Sequence, residues 1–213
     1  MMERDDSQGF FITFEGTEGA GKTTQISRVQ GFLEEKGYDV VMTREPGGTS
    51  LGEKIRRLLL QDSMSEMTEL LLMFAARAEH LDKVILPAIK AGKWVLCDRF
   101  TESSYAYQGY ARGIALTKIR ALESLVQNTL RPDCTFWFDL PVVEGMKRVS
   151  KRGEKDRFEV ENIEFFEAVA SGFRALSLER PKQFFRIDAL QNMDEVSAAI
   201  YQRLEDLVAN HAR

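Results

Sequence analysis

The stretch Gly16-Thr17-Glu18-Gly19-Ala20-Gly21-Lys22-Thr23 decides how the rest of the chain is read. It fits G-x-x-x-x-G-K-[ST], a loop whose glycines turn backbone N–H groups inward around phosphate oxygens. Its flanks agree. Phe10 to Phe14 before it is an apolar run of strand length, and Thr23 to Lys36 after it puts Ile26, Val29 and Leu33 on one helical face. A helix N-terminus behind the glycines adds partial positive charge. Lys22 then reaches the β- and γ-phosphates of a nucleoside triphosphate, and the Thr23 hydroxyl holds Mg²⁺. The nucleotide-binding set is Gly16, Thr17, Glu18, Gly19, Ala20, Gly21, Lys22, Thr23 and Thr24.

Working outward, strands and helices alternate. Asp39 to Thr43 reads as a second strand, and Arg44-Glu45-Pro46-Gly47-Gly48-Thr49 breaks regular structure after it. Arg44 and Glu45 therefore sit at a strand's carboxyl end, where open α/β sheets put ligands. Leu51 to Gln61 is helical, with Arg56 in its middle as a further candidate on the substrate side. Glu66 to Ala91 reads as one long helix kinked near Pro87. Met73 and Phe74 precede Arg77 by four and three residues, so an apolar group stands beside a guanidinium. That suits a flat base with a carbonyl edge; it also fits a core stripe with one snorkelling arginine. Lys93 to Cys97 is a third strand ending in Asp98-Arg99. The acidic residue suits a Mg²⁺ shell and the arginine a bidentate phosphate clamp.

Thr101 to Gly113 reads as a polar, aromatic loop carrying Ser104, Tyr107 and Gln108. Such a mix grips a sugar and a base edge. Leu116 to Leu130 is a helix, Cys134 to Phe138 a fourth strand and Val142 to Arg152 a helix. The charged run from Arg148 to Arg157 marks a lid over about 148–160. Glu161 to Glu179 is a helix, Phe184 to Ile187 a fifth strand and Met193 to Val208 the last helix. The expected fold is α/β: one domain over residues 1–213, with a five-stranded parallel sheet flanked by helices in three layers, the P-loop NTPase arrangement, plus a short lid. Residues 1–9 read as a frayed tail.

Composition excludes several classes. With 213 residues, 44% apolar and 29% charged, the chain suits a globular domain. A net charge of −4 gives no electrostatic case for a nucleic-acid partner. No apolar run approaches the ~20 residues of a membrane span, so no membrane partner is expected. The polar start lacks a signal-peptide core, and Cys97 and Cys134 have neither metal nor disulfide spacing. The cytoplasm is the expected compartment. His80 and His211 receive no role.

The parts specify phosphoryl transfer. Arg44, Arg77 and Arg99 lie on segments that should converge at the sheet's carboxyl edge. They suit an acceptor that is itself anionic, such as a nucleoside monophosphate, near −2 at neutral pH. Two rivals stay open: a kinase for another small acceptor, and a nucleotide switch without turnover.

The phosphate loop, Arg44-Glu45-Pro46-Gly47-Gly48-Thr49, Ala75-Ala76-Arg77, Asp98-Arg99 and the run Ser103 to Gly113 together resemble the bacterial thymidylate kinases. The likeness spans about Phe11 to the last helix. It implies transfer of the ATP γ-phosphate to dTMP, with Mg²⁺, in a homodimer. It also implies that Arg99 and Arg44 hold the dTMP phosphate region and Arg77 the thymine O4. Ser104 and Gln108 take the other base edge, and Tyr107 lies under the deoxyribose. By the same resemblance, Glu45 and Asp98 join Thr23 in supporting the metal, and Glu18 is the loop's acidic residue. Lys151, Arg152 and Arg157 are the first candidates for the lid cation, with Arg148 and Lys155 behind them, and the catalytic set is Lys22, Arg99, Glu18, Arg152 and Arg157. The family places phenylalanine four residues before the base arginine. This chain has Met73 there and Phe74 one place on, so either could cover the base.

Overall fold

A computed structural model describes residues 9–150 and 156–211. Five strands form one parallel sheet: β1 (Phe11–Gly16), β2 (Val40–Arg44), β3 (Trp94–Asp98), β4 (Cys134–Asp139) and β5 (Phe184–Asp188), in the order β2-β3-β1-β4-β5. From β1 the chain winds to one edge and returns, then crosses from β3 to β4. The winding direction therefore reverses beside β1 and β3, and a crevice opens outside their carboxyl ends. Gly16 and Asp98 end these two strands.

Strand β1 is buried along its whole length, as a central parallel strand covered on both faces must be. Ile12 and Phe14 pack with Val29 and Leu33 of α1 (Lys22–Glu35) and Ile200 and Leu204 of α9 (Met193–His211). Phe11, on the opposite face, packs with Ile89 of α4 (Leu86–Lys90) and with Phe100. Period-two alternation of apolar side chains thus fills both interlayer spaces. Each fully buried side chain of this size contributes roughly 1.5–3 kcal/mol relative to exposure, so the core fixes the sheet edge on which the site stands.

The remaining helices are α2 (Ser50–Gln61), α3 (Glu66–His80), α5 (Thr101–Ser104), α6 (Leu116–Gln127), α7 (Val142–Val149) and α8 (Ile163–Glu179). Side-chain caps start three of them: Thr49 Oγ1 accepts from Gly52 N at 2.9 Å, Ser65 Oγ from Thr68 N at 3.3 Å and Asn162 Oδ1 from Phe165 N at 2.9 Å.

Three expectations need correction. The long helix from Glu66 is interrupted: a π-helical turn over Leu81–Ile85 separates α3 from α4, just before Pro87. Pro87 has no N–H to donate, and the wider turn accommodates it. The stretch read as a loop is helical, with α5 running into a π-helix over Tyr105–Ala111. Tyr105 through Gly109 are all buried. A buried loop would strand its backbone polar groups, whereas a helix satisfies its own. The path of α8 across this π-helix depends on Gly172, where an added Cβ would lie 2.9 Å from Tyr110 and 3.0 Å from Ala106. Finally, Gly9 is no tail residue: it is buried and its N–H donates to Ile89 O at 2.9 Å. Residues 1–8 of the expected tail lie outside the described residues.

Candidate active site

The phosphate loop links β1 to α1. Gly21, at φ 87°, occupies the left-handed region that glycine enters without strain, and no side chain caps α1 behind it. The first-turn amides of α1 thus remain available as donors to an anion. Lys22 is buried and donates from Nζ to Gly16 O and Thr17 O, both at 3.1 Å. A cavity beside the loop is lined by residues 18–24 together with Arg44, Glu45, Arg56, Asp98, Arg99, Asp156 and Glu159.

Arg99 stands opposite the loop, just past β3. It is a non-glycine residue with φ 68°, a conformation costing about 1–2 kcal/mol, which its contacts oppose. Nη1 donates to Gly16 O at 3.0 Å and Ser103 Oγ at 3.1 Å, and Nη2 pairs with Glu18 at 2.6 Å. The guanidinium lies 5.1 Å from the Tyr107 ring centroid, and the Tyr107 hydroxyl reaches Glu18 at 3.4 Å.

A second cleft adjoins the first. It is lined by Pro46, Leu60, Met73, Arg77, Phe100, Ser103, Ser104, Tyr107, Gln108 and Phe158, and shares Glu18, Glu45, Arg56, Arg99 and Asp156 with the loop cavity. Arg77 is 2% exposed. Its Nε donates to Glu45 at 2.7 Å and its Nη2 to Ser104 Oγ at 3.1 Å, while Nη1 is buried with no partner among the described residues. Such a donor marks a place where a ligand acceptor is needed. Of the two candidate base covers, Met73 lines this cleft; Phe74 is in the core, with the Arg77 guanidinium 4.5 Å from its ring centroid.

The charges explain each other. Burial pushes the Lys22 pKa down and the Arg99 guanidinium, a like charge, adds to that; Glu18, Asp98 and Glu15 offset only part. Burial works to raise the Glu18 pKa, but Arg99 and Lys22 override it and hold the carboxyl below its usual range. For Arg99 burial is likewise overcome, chiefly by Glu18, and its pKa is raised. Two cations converge here on one carboxylate, which is the charge pattern of an anion site.

Several assigned residues lie elsewhere than expected. Glu45 is no open metal ligand. Its Oε2 accepts from Arg77, and its Oε1 from His80 Nδ1 at 3.0 Å, while the Thr43 hydroxyl lies 2.6 Å from His80 Nε2. His80, given no role from sequence, is fully buried and fixes Glu45, which in turn fixes Arg77. A histidine inside an apolar helix carries no sequence signal of such a partner 35 residues away. Arg157 is not aimed at phosphate either: Nε donates to Leu59 O at 2.9 Å and Nη2 to Glu69 at 2.6 Å. A buried carboxylate outcompetes an open cavity for it. Arg152, Lys151 and Lys155 lie outside the described residues. Arg148 does reach the phosphate loop, donating to Gly19 O at 3.1 Å. Arg44 pairs with Glu53 at 3.0 Å and lines the loop cavity rather than the second cleft, and Arg56 donates to Pro46 O at 3.0 Å. For a cation, Asp98 Oδ1 is buried beside the loop with no partner among the described residues, and Thr23 and Thr24 line the same cavity. Among the described residues no cluster of three His, Cys, Asp or Glu could hold a metal alone. This donor set fits Mg²⁺, which takes one or two carboxylates and completes its shell with phosphates and water.

Residues 14–200 match the family model described as thymidylate kinase. A thymidylate kinase of Alkalilimnicola ehrlichii is 53% identical over 206 residues, covering 95% of both chains. One from Teredinibacter turnerae is 49% identical over 200 residues, covering 92% of this chain and 98% of its own. The crystal structure of thymidylate kinase from Ehrlichia chaffeensis superimposes with a TM-score of 0.76 at 35% identity, covering 92% of this chain and 99% of that one.

Proposed function

The chain belongs to the thymidylate kinase family, and on that premise we infer that it transfers the γ-phosphate of ATP to dTMP, giving dTDP. The observation that carries the reading is the meeting of two anion-suited clefts at Arg99. ATP lies along the phosphate loop. The dTMP base enters the second cleft against Met73 and Phe100, with Arg77 Nη1 donating to its O4, Gln108 accepting from the neighbouring N3–H, and Ser104 holding the Arg77 guanidinium. The sugar rests on Tyr107.

An oxygen of the dTMP phosphate attacks the γ-phosphorus, and the bond from phosphorus to the β–γ bridging oxygen breaks as ADP leaves. The acceptor is already deprotonated, so no strong general base is needed. Lys22 and Arg99 hold the charge that spreads over the γ-phosphoryl oxygens. To do so, Arg99 exchanges Glu18 for phosphate, and Glu18 is then left to its 3.4 Å contact with the Tyr107 hydroxyl. Arg148 sits at the loop and takes the cationic place first expected of Arg157; Arg152 remains a second candidate. Thr23 and Asp98 are the residues to hold Mg²⁺, which when bound neutralises the triphosphate.

Two unpaired, buried cysteines suit a reducing compartment, which supports the cytoplasm. Among the described residues no helix is long and apolar enough to cross a membrane.

The test is ADP release with dTMP, dUMP, UMP, CMP, AMP and thymidine as acceptors. We expect dTMP to be the best. A better acceptor elsewhere in that panel would refute the substrate assignment.

A further inference from the structure

The second cleft reads a base through donors and acceptors, and one residue outside it sets their order. Glu69, on α3, is 1% exposed. Its Oε2 accepts from Arg157 Nη2 at 2.6 Å, and its Oε1 accepts from Gln108 Nε2 at 2.8 Å, with Arg112 Nε 3.6 Å away. Arg157 is held in turn by Leu59 O at 2.9 Å, and Arg112 by Glu161 at 2.7 Å. The carboxylate is thus fixed from two sides and can only accept.

We propose that Glu69 is a specificity-determining positioning residue, which orients the Gln108 amide so that the cleft accepts thymine-type bases and refuses cytosine. The proposal rests on the dTMP kinase reading.

The amide orientation follows from chemistry. Gln108 can present either end of its amide, but an acceptor facing it forces the NH₂ group toward Glu69. Among the described residues its side chain makes no other hydrogen bond, and the residue lines the cleft. The Oε1 acceptor is therefore the end left for a ligand. The same lining holds Arg77, whose Nη1 is a donor without a partner among the described residues. Acceptor next to donor complements the N3–H and C4=O edge of thymine or uracil. Cytosine presents the reverse pair, an unprotonated N3 and an N4 amino group, so donor would face donor and acceptor face acceptor. Without Glu69, Gln108 could turn its amide over and meet the cytosine N3 with its NH₂ group. Glu69 touches no base atom; it removes the choice.

Substitution of Glu69 by glutamine supplies a neighbour that can donate as well as accept, which frees Gln108. Calorimetric Kd values for dTMP and dCMP give the readout, with folding checked by circular dichroism. The Kd ratio of dCMP to dTMP is expected to fall at least tenfold in Glu69→Gln; a smaller fall, including a parallel weakening of both ligands, overturns the proposal. A merely structural role would weaken both together. Should Glu69→Gln fail to fold, Glu69→Asp, which withdraws the carboxylate by one methylene, is judged by the same ratio. A crystal of the unsubstituted protein with dTMP must also keep the contact from Gln108 to Glu69, and its loss overturns the proposal whatever the variants do. If the unsubstituted protein neither binds nor phosphorylates dTMP, the kinase reading itself fails; if it does both and the ratio holds in the variant, only the role of Glu69 fails.

Discussion

Glu15 is a buried carboxyl beside the phosphate loop whose proton the fold retains. It lies at the end of β1, accepting from Phe100 N at 2.7 Å and from Ser103 Oγ at 2.6 Å. Burial, then the neighbouring Glu102 carboxyl, pushes its pKa up to about 8 from 4.5. Between those values the folded chain binds a proton that the unfolded chain has released. This contribution is therefore complete below about pH 4.5 and disappears as pH rises through 8. It is on the order of a few kcal/mol. We expect the melting temperature to fall several degrees more between pH 5 and 8.5 in the native sequence than in Glu15→Gln, which has no proton to lose. Equal slopes in the two thermal profiles would refute it. At this scale the sequence was readable where spacing alone fixes chemistry, as for Lys22 and the Asp98-Arg99 pair. It was not readable for Glu45, His80 and Glu69, because their partners are long-range and a pattern does not say which buried charges meet. Met73 and Phe74 differ by one position, about 100° of helix, and only packing decides which one faces the cleft.

The element most misread was Thr101 to Gly113. Serine, tyrosine, glutamine and glycine look like surface residues when scored singly. Here they cover one another: α8 presses on the π-helix at Gly172, and Phe165 and Phe173 meet the Tyr107 ring edge-on at 6.0 and 6.5 Å. The β–α alternation was legible throughout, with boundaries displaced by a few residues, since period-two and period-3.6 patterns survive burial. The described end of the expected lid behaves as a buttress instead. Arg157 ties it to α2 and α3, and Phe158 forms part of the base cleft. Arg157→Ala should cost on the order of 3 kcal/mol by leaving Glu69 with one fewer partner. It should raise the KM for dTMP about tenfold and change kcat less. Urea unfolding and initial rates measure both quantities. A collapse of kcat with KM unmoved would return Arg157 to the phosphates.

Across the whole molecule, exposed apolar side chains run from Met42 on β2 to Met193 on α9, and some of them fall on neighbouring helices. Met67 and Leu71 are exposed one turn apart on α3, and Leu58 is exposed on α2, which packs against it. Such a patch is typical of an interface, and we propose that it joins two copies of the chain. Light scattering should give about twice 24.3 kDa, and Leu71→Arg should shift that mass toward the single chain. A native sequence that runs as a monomer would exclude the arrangement. Topology has a different consequence. The middle strand, which carries the nucleotide loop, borders β4 through pairings such as Ile12 with Cys134. A ribosome must therefore translate all the chain between β1 (Phe11–Gly16) and β4 (Cys134–Asp139) before that strand gains its second neighbour, at roughly 5–20 residues per second. Until then a nascent chain exposes an apolar strand with one side unzipped, a window of several seconds in which chaperones have something to hold.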